Sequence, residues 1–374
     1  MDFALSPEQQ ELRDAVRQLM RTVASDSLLV SLHDKPTGFL PNVWDHLRRA
    51  GWTGLAVPEE YGGAGASTAD VAVAMEEYGR GPLPFLFIVA TTLSPALIAE
   101  LGTEDQKRAL LPAIAEGRER VTVAVTEPSY GWAPEFINAK LLRSGSGYLL
   151  DGVKTFVADL AGATRVLVAA RVEDSGRIAF VYLDPAAPGV SQETIEGFVS
   201  WQSVLRLDRV AVDEADVLGS ADDDAWPAAV RAMNQVIPLL CSYQVGSCQS
   251  VFEMSLAHTR NRVQFGQPIG RFQRVQDHLI ELVNHLDAAR WATYEAIWKL
   301  ETAPDSAEGS LHMTKSIVSE AHWEACNFGH EIHAGLGADL QYGLAKHTYL
   351  SRSLYHFLGE PRWHRELMVQ SLNW

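Results

Sequence analysis

The residues best equipped for chemistry lie between Arg260 and Gln273, in the run R-N-R-V-Q-F-G-Q-P-I-G-R-F-Q. Arg262 offers a planar, permanently charged fork suited to phosphate. Two glycines in the run let backbone approach a ligand closely. Amphipathic patterns flank it: Val245, Val251, Phe252 and Leu256 upstream, then Val275, Leu279, Leu282, Val283 and Leu286 downstream, each set at helical spacing. On spacing alone the plainer reading is the stronger one, a helix–helix connection with a solvated arginine.

The elements that must position this loop follow from the pattern. Residues 1–117 read as helical, opening with Ser6, Pro7 and Gln9 as cap, first helical residue and capping-box partner. The "EEYGGAGAS" cluster at 59–67 reads as a loop, and "TEDQKRALLPAIAEG" as a second capped helix. Residues 118–222 switch to short β-branched runs separated by turns, with "RSGSG" (143–147) as a hairpin turn. Runs of this kind without helices between them predict a small antiparallel barrel or sandwich. Residues 223–374 return to long helices on short loops, a four-helix bundle, with a kink expected at Pro238. Trp291, Trp298 and Trp323 suit core or interface, and core is the expectation for each.

The formal charge of −16 argues against nucleic acid and against an anionic membrane surface as partners. A phosphate-bearing ligand would need local arginines against that field. Cys241, Cys248 and Cys326 show no metal spacing and read as buried thiols. No signal peptide opens the chain and no run reaches 18 apolar residues, so a cytoplasmic location is expected.

Six segments in order resemble the acyl-CoA dehydrogenase family: "GWTGLAVPEEYGG" (51–63), "VAVTEP" (123–128), "GYLLDGVKTFVA" (147–158), "LRLDRVAVDEADVLG" (205–219), "RVQFGQPIGRFQ" (262–273) and "EIHAGLG" (331–337). The resemblance implies a mainly α fold with an N-terminal helical domain, a middle β-barrel and a C-terminal four-helix bundle. It also implies FAD and α,β-dehydrogenation of an acyl-CoA, with an electron-transfer flavoprotein as acceptor. In such enzymes a carboxylate of raised pKa removes the α-proton while the flavin takes the β-hydride.

That carboxylate is missing from both places where the family keeps it. Leu358, in "FLGEP", stands at the first. Val236 and Tyr243 mark the second, and residues 225–252 contain neither Asp nor Glu. Glu360, two residues from Leu358, reads as a solvated carboxylate in a turn. At the position implied for the flavin ring, Trp132 and Ala158 replace small or hydroxyl residues and Phe156 replaces a tryptophan. On the ADP side, Arg262, Phe265, Gly266 and Gln273 match the family motif. Glu331, Ala334 and Gly335 match a glutamine and paired glycines less well, and an acid at 331 would disfavour a diphosphate contact.

The pattern implies the non-catalytic subunit of an α2β2 dehydrogenase, paired with a homologous catalytic subunit and similar to actinobacterial enzymes of steroid side-chain degradation. Two alternatives stand beside it: a self-sufficient homotetramer with a relocated base such as Glu360, and a flavin-free scaffold on the same fold.

Overall fold

The computed structural model describes residues 4–23, 35, 37–195 and 201–372. They fall into two compact units. The first comprises Met1–Asp34, Thr68–Leu83 and Ile237–Trp374; the second comprises Lys35–Ser67 and Pro84–Val236.

The first unit is helical. Helix α1 (Pro7–Val23) starts at the expected capping box: Ser6 Oγ accepts from Gln9 N–H at 3.1 Å, and Gln9 Oε1 accepts from Ser6 N–H at 3.1 Å. This exchange satisfies donors that a helix start leaves over. Helix α3 (Thr68–Arg80) lies in the same unit and is tied to α1 by Arg17 and Glu77, 2.6 Å apart. The bundle follows: α7 (Trp226–Asn261), which belongs to this unit from Ile237 on, α8 (Gln273–Thr302), α9 (Glu308–His333), α10 (Leu344–His356) and α11 (Pro361–Ser371). Helix α7 runs through Pro238 as one element. Close packing explains two glycines. A Cβ on Gly79 would lie 1.8 Å from Tyr243 O, and one on Gly246 would lie 1.8 Å from Glu76 O.

The cysteines are buried and free, as expected. The tryptophans are not all core. Trp291 is 52% exposed and Trp298 36% exposed in the isolated chain. Helical spacing locates a face but says nothing of whether another subunit covers it.

The second unit holds α2 (Pro41–Arg49), α4 (Phe85–Ile88), α5 (Ser94–Leu101) and α6 (Glu104–Ala115), with a complete capping box at Thr103 and Gln106. Its strands form one seven-stranded sheet: β1 (Val121–Ala124), β2 (Lys140–Ser144), β3 (Gly147–Ala158), β4 (Arg165–Val172), β5 (Ile178–Leu183), β6 (Val190–Thr194) and β7 (Gln202–Val212). The β2–β3 hairpin turns where "RSGSG" predicted it. The antiparallel expectation needs correction. β4 runs parallel to β1 and to β2, which lie end to end along one of its edges, and antiparallel to β5 on the other. Apolar alternation reports which face is buried, not the direction of the neighbour. Strand β6 had no signal, because V-S-Q-E-T is polar and its residues are largely exposed at the sheet edge.

Candidate functional site

The arginine loop is a tight β-hairpin. β8 (Val263–Gln264) pairs with β9 (Gln267–Pro268), and the two turn residues, Phe265 (φ 52°) and Gly266 (φ 80°), both take the left-handed region. That combination is the twist-matched two-residue hairpin turn. Ile269 N–H donates to Arg262 O at 2.8 Å and closes the loop. Phe265, at the tip, is 93% exposed. Gln273 begins α8. Arg260, Arg262, Arg271 and Arg274 surround the hairpin, all exposed. None forms an ion pair among the described residues. In a chain of charge −16, these four exposed guanidinium groups concentrate positive charge at the hairpin and the helix ends beside it.

The second loop of the pattern follows α9. Glu331 is exposed on the last turn, Ala334 takes φ 52°, and a Cβ added at Gly335 would meet nothing. The two loops are brought together by a pair that sequence reading missed. His258, one turn before Arg262, stacks on His333 with ring centroids 4.5 Å apart. His333 Nδ1 donates to Gly329 O at 2.8 Å. Burial pushes both imidazoles below their ordinary range, which favours the neutral form of the stacked pair. The signal lay in "HTRNR" and "EIHAG", but nothing in either string says the rings meet. Among the described residues no ion pair joins Arg262 to Glu331.

The positions implied for the base are closed. Leu358 is 2% exposed and left-handed, at φ 58°, followed by Gly359 at φ 105°. Its carbonyl accepts from His364 Nε2 at 2.8 Å. Since a carbonyl only accepts, His364 carries its proton on Nε2. Its Nδ1 therefore accepts from His312 Nδ1 at 3.0 Å. Lys315 is wholly buried, with Nζ on Ser319 Oγ at 2.7 Å and on Leu354 O at 3.3 Å, the closing turn of α10. Burial pulls its pKa down to about 8. Val236 is buried as well. Tyr243 is fully buried and donates its hydroxyl to Leu83 O at 2.6 Å. Glu360 is exposed, its carboxylate 4.0 Å from His356 Nδ1.

The surface implied for the flavin ring lies in the second unit. Glu127 is buried and paired with the fully buried Lys154 at 2.7 Å, and it also accepts from the backbone N–H groups of Asn138 and Ala139. Burial opposes the charged form of Glu127, but Lys154 and those N–H groups outweigh it and hold its pKa down. The pair thus pins both ends of the Pro128–Ile137 loop. Within that loop Trp132 is buried, and Tyr130 (φ 43°) sets its ring edge-on to Phe156 at 5.5 Å. Phe156 sits in a bulge of β3 at φ 56°. Thr126 donates to Thr155 O at 2.6 Å, and Ala158 O accepts from Thr122 at 2.7 Å. Thr155 Oγ1 is a buried hydroxyl without a partner.

The mainly helical chain with a middle sheet has the architecture that the resemblance implies, and two family models match it. Residues 6–118 match the acyl-CoA dehydrogenase N-terminal domain and residues 223–372 the acyl-CoA dehydrogenase C-terminal domain. The chain belongs to the acyl-CoA dehydrogenase family, whose members are oxidoreductases that carry FAD. It is 28% identical to the probable acyl-CoA dehydrogenase YngJ of Bacillus subtilis, over 92% of this chain and 93% of that one. The ChsE4–ChsE5 complex of Mycobacterium tuberculosis contains a chain of the same fold, with TM-score 0.88, 22% identity and coverage of 100% and 99%. A chain of the Tcur3481–Tcur3483 steroid ACAD variant gives TM-score 0.83, 27% identity and 98% coverage of each chain. Among the described residues no helix is long and apolar enough to cross a membrane.

The residues fit FAD unevenly. The hairpin, with free guanidinium groups and a glycine beside them, suits a diphosphate. The ring surface fits less well: the hydroxyls of Thr122 and Thr126 are bonded within the sheet, and Tyr130 already contacts Phe156.

Proposed function

We propose that this chain is the non-catalytic subunit of a heteromeric FAD-dependent acyl-CoA dehydrogenase, assembled two-plus-two with a homologous subunit that supplies the base. The observation that carries the reading is Leu358. A buried leucine, its carbonyl held by His364, occupies the turn where the resemblance puts the proton-abstracting carboxylate. The three-part division at 117/118 and 222/223 belongs to the same reading.

FAD, held mainly by the partner, would supply hydride acceptance from the acyl β-carbon. This chain would contribute Arg262 to the diphosphate, with Phe265 and Gly266 carrying the hairpin tip across the subunit boundary and Gln273 beside it. Ala334 and Gly335 would lend backbone at the second loop, and Glu331 would turn outward from the phosphates. The exposed Trp291 and Trp298 would be covered in the assembly. A steroid side-chain CoA thioester is the proposed substrate class, and an electron-transfer flavoprotein the proposed acceptor. The similarity to a chain of the Tcur3481–Tcur3483 steroid ACAD supports both the pairing and the substrate class.

The test is to purify the chain alone and with a co-expressed dehydrogenase subunit that retains a glutamate at the position of Leu358. The expected result is flavin only in the co-expressed complex, two per tetramer, with two titratable active sites. Four flavins and four reducible sites, or full flavin and turnover in the chain alone, would overturn the reading in favour of a self-sufficient enzyme. No flavin in either preparation would favour a scaffold.

A further inference from the structure

Phe156 stands where the resemblance puts the residue behind the flavin ring, and the chain sets one of its own rings against it. Tyr130 meets Phe156 edge-on, with ring centroids 5.5 Å apart and planes at 86°. Both residues take the left-handed region, at φ 43° and φ 56°. Strain of that kind persists only where the surroundings over-determine it.

The surroundings do so on both sides. Tyr130 N–H donates to Glu127 O at 2.8 Å and closes a turn directly after the buried carboxylate. That carboxylate is held by Lys154, and it accepts from Asn138 and Ala139 just beyond the far end of the loop. Arg171 Nε donates to Ile137 O at 3.0 Å and fixes the same end. Between them, Gly131 lets the loop fold over Phe136, since a Cβ there would lie 2.2 Å from that ring. On the strand, Thr155 N–H donates to Thr126 O at 2.9 Å and Thr126 Oγ1 donates back to Thr155 O, which fixes the residue before Phe156.

An aromatic pair can be ordinary packing, but packing buries its rings. Phe156 is still 39% exposed, so the pair is held at a surface and not in a core. The same exposure means that the platform persists, and that removing one side chain would uncover it. We infer that Tyr130 is a built-in plug: its ring takes the place against Phe156 that the fused ring of a flavin would occupy, and so closes this chain's own ring site. The plug deepens the partner-subunit reading, on which its purpose rests: the flavin ring belongs to the other subunit.

The test uses lumiflavin, which carries the fused ring without ribityl chain or phosphates and so needs no arginine. The full chain, in whatever assembly it purifies, is titrated by fluorescence quenching. Wild type and Tyr130→Phe, which keeps the ring, should bind weakly and alike. Glycine and asparagine suit the left-handed backbone, so Tyr130→Gly and Tyr130→Asn should both fold, as a thermal melt will show. Each should bind lumiflavin at least about tenfold more tightly than wild type. Adding Phe156→Ala to Tyr130→Gly should return binding to the wild-type level. Wild-type affinity in the folded small variants would overturn the plug, and either variant alone suffices for that comparison. So would a gain that survives Phe156→Ala, or an equal gain in Tyr130→Phe. Flavin content of the wild-type complex reports separately on the partner-subunit reading. Two flavins per tetramer with no gain in the small variants would sink the plug alone. A gain in those variants with no flavin in the wild-type complex would sink the partner reading alone.

Discussion

Two turns in the bundle share one backbone device and put it to opposite use. At Phe265–Gly266 and at Leu358–Gly359 a non-glycine residue enters the left-handed region and a glycine follows it there. For an L-residue that conformation costs roughly 1–2 kcal/mol, so the surroundings must hold it. At Leu358 they do: the side chain is buried, the carbonyl is bonded to His364, and Lys315 caps the preceding helix. At Phe265 the chain itself offers little beyond the hairpin ladder and an edge contact from Phe272 at 6.1 Å. A large aromatic held in a strained turn and left in water agrees with the proposed contact to a partner subunit. A leucine locked in the same turn implies a site closed to solvent and substrate. The contrast separates a surface built to reach outward from one built to stay shut.

The largest effect should come from protonating the buried imidazoles, His364 at the closed turn and His322 and His347 beside Ser247. His364 is held near pKa 2, and His322 and His347 near 3, chiefly by burial. The latter two share Ser247: Gln244 donates to His322 Nδ1, His322 Nε2 donates to Ser247 Oγ, and Ser247 donates to His347 Nδ1. An unfolded imidazole titrates near 6.5. The unfolded chain therefore binds protons below 6.5 that the folded chain refuses. Stability from these groups is present above pH 6.5 and is lost as pH falls toward 3, by up to about 1.4 kcal/mol per group per pH unit. Urea unfolding as a function of pH should show this slope. His347→Asn keeps an acceptor for Ser247 and should remove about one proton from it; an unchanged slope would refute the assignment.

Next in size is truncation of the two turn residues. Leu358→Ala should destabilise the chain by about 2–5 kcal/mol, through lost burial and a residual cavity. Phe265→Ala should change the stability of the chain alone by no more than about 0.5 kcal/mol. Its effect should appear instead as weaker assembly with the partner. Equal losses in chemical denaturation would erase the contrast between the turns.

Arg262→Ala should weaken flavin retention in the assembled complex by about ten- to a hundredfold, the worth of one charge-assisted phosphate contact. The chain alone should melt as before, since the guanidinium has no partner there. Flavin retained at wild-type affinity would show that the hairpin does not meet the diphosphate.

The smallest effect is expected at Glu360. A working base accounts for about 10²–10⁴-fold in rate. Glu360→Gln in the complete complex should leave turnover within about threefold, because the group is exposed and turned toward His356. A collapse of activity would mean that the closed turn hides a relocated base after all.

Much of the site was legible because it depends on residue identity. The arginine hairpin, the capping boxes at Ser6 and Thr103, the turn at 143–147 and the absence of any acid over 225–252 are local facts of spacing and chemistry. The His258–His333 stack joins positions 75 residues apart (333 − 258), and Ser247, in the middle of the His322–Ser247–His347 chain, lies 75 and 100 residues from its two histidines. No local period encodes either. Trp291 and Trp298 were misjudged for a related reason: the pattern marks an apolar face but not its cover.

The sequence by itself determined most of the elements, the family the chain joins and the residue types at each motif, since hydrophobic period, capping chemistry and side-chain identity act within a few residues. Only the tertiary structure decided that β4 runs parallel to β1 and β2, that Leu358 is shut in while Phe265 stands out, and that the Tyr130 ring is set against Phe156. These depend on which distant surfaces exclude water from one another, and that is settled by packing the whole chain.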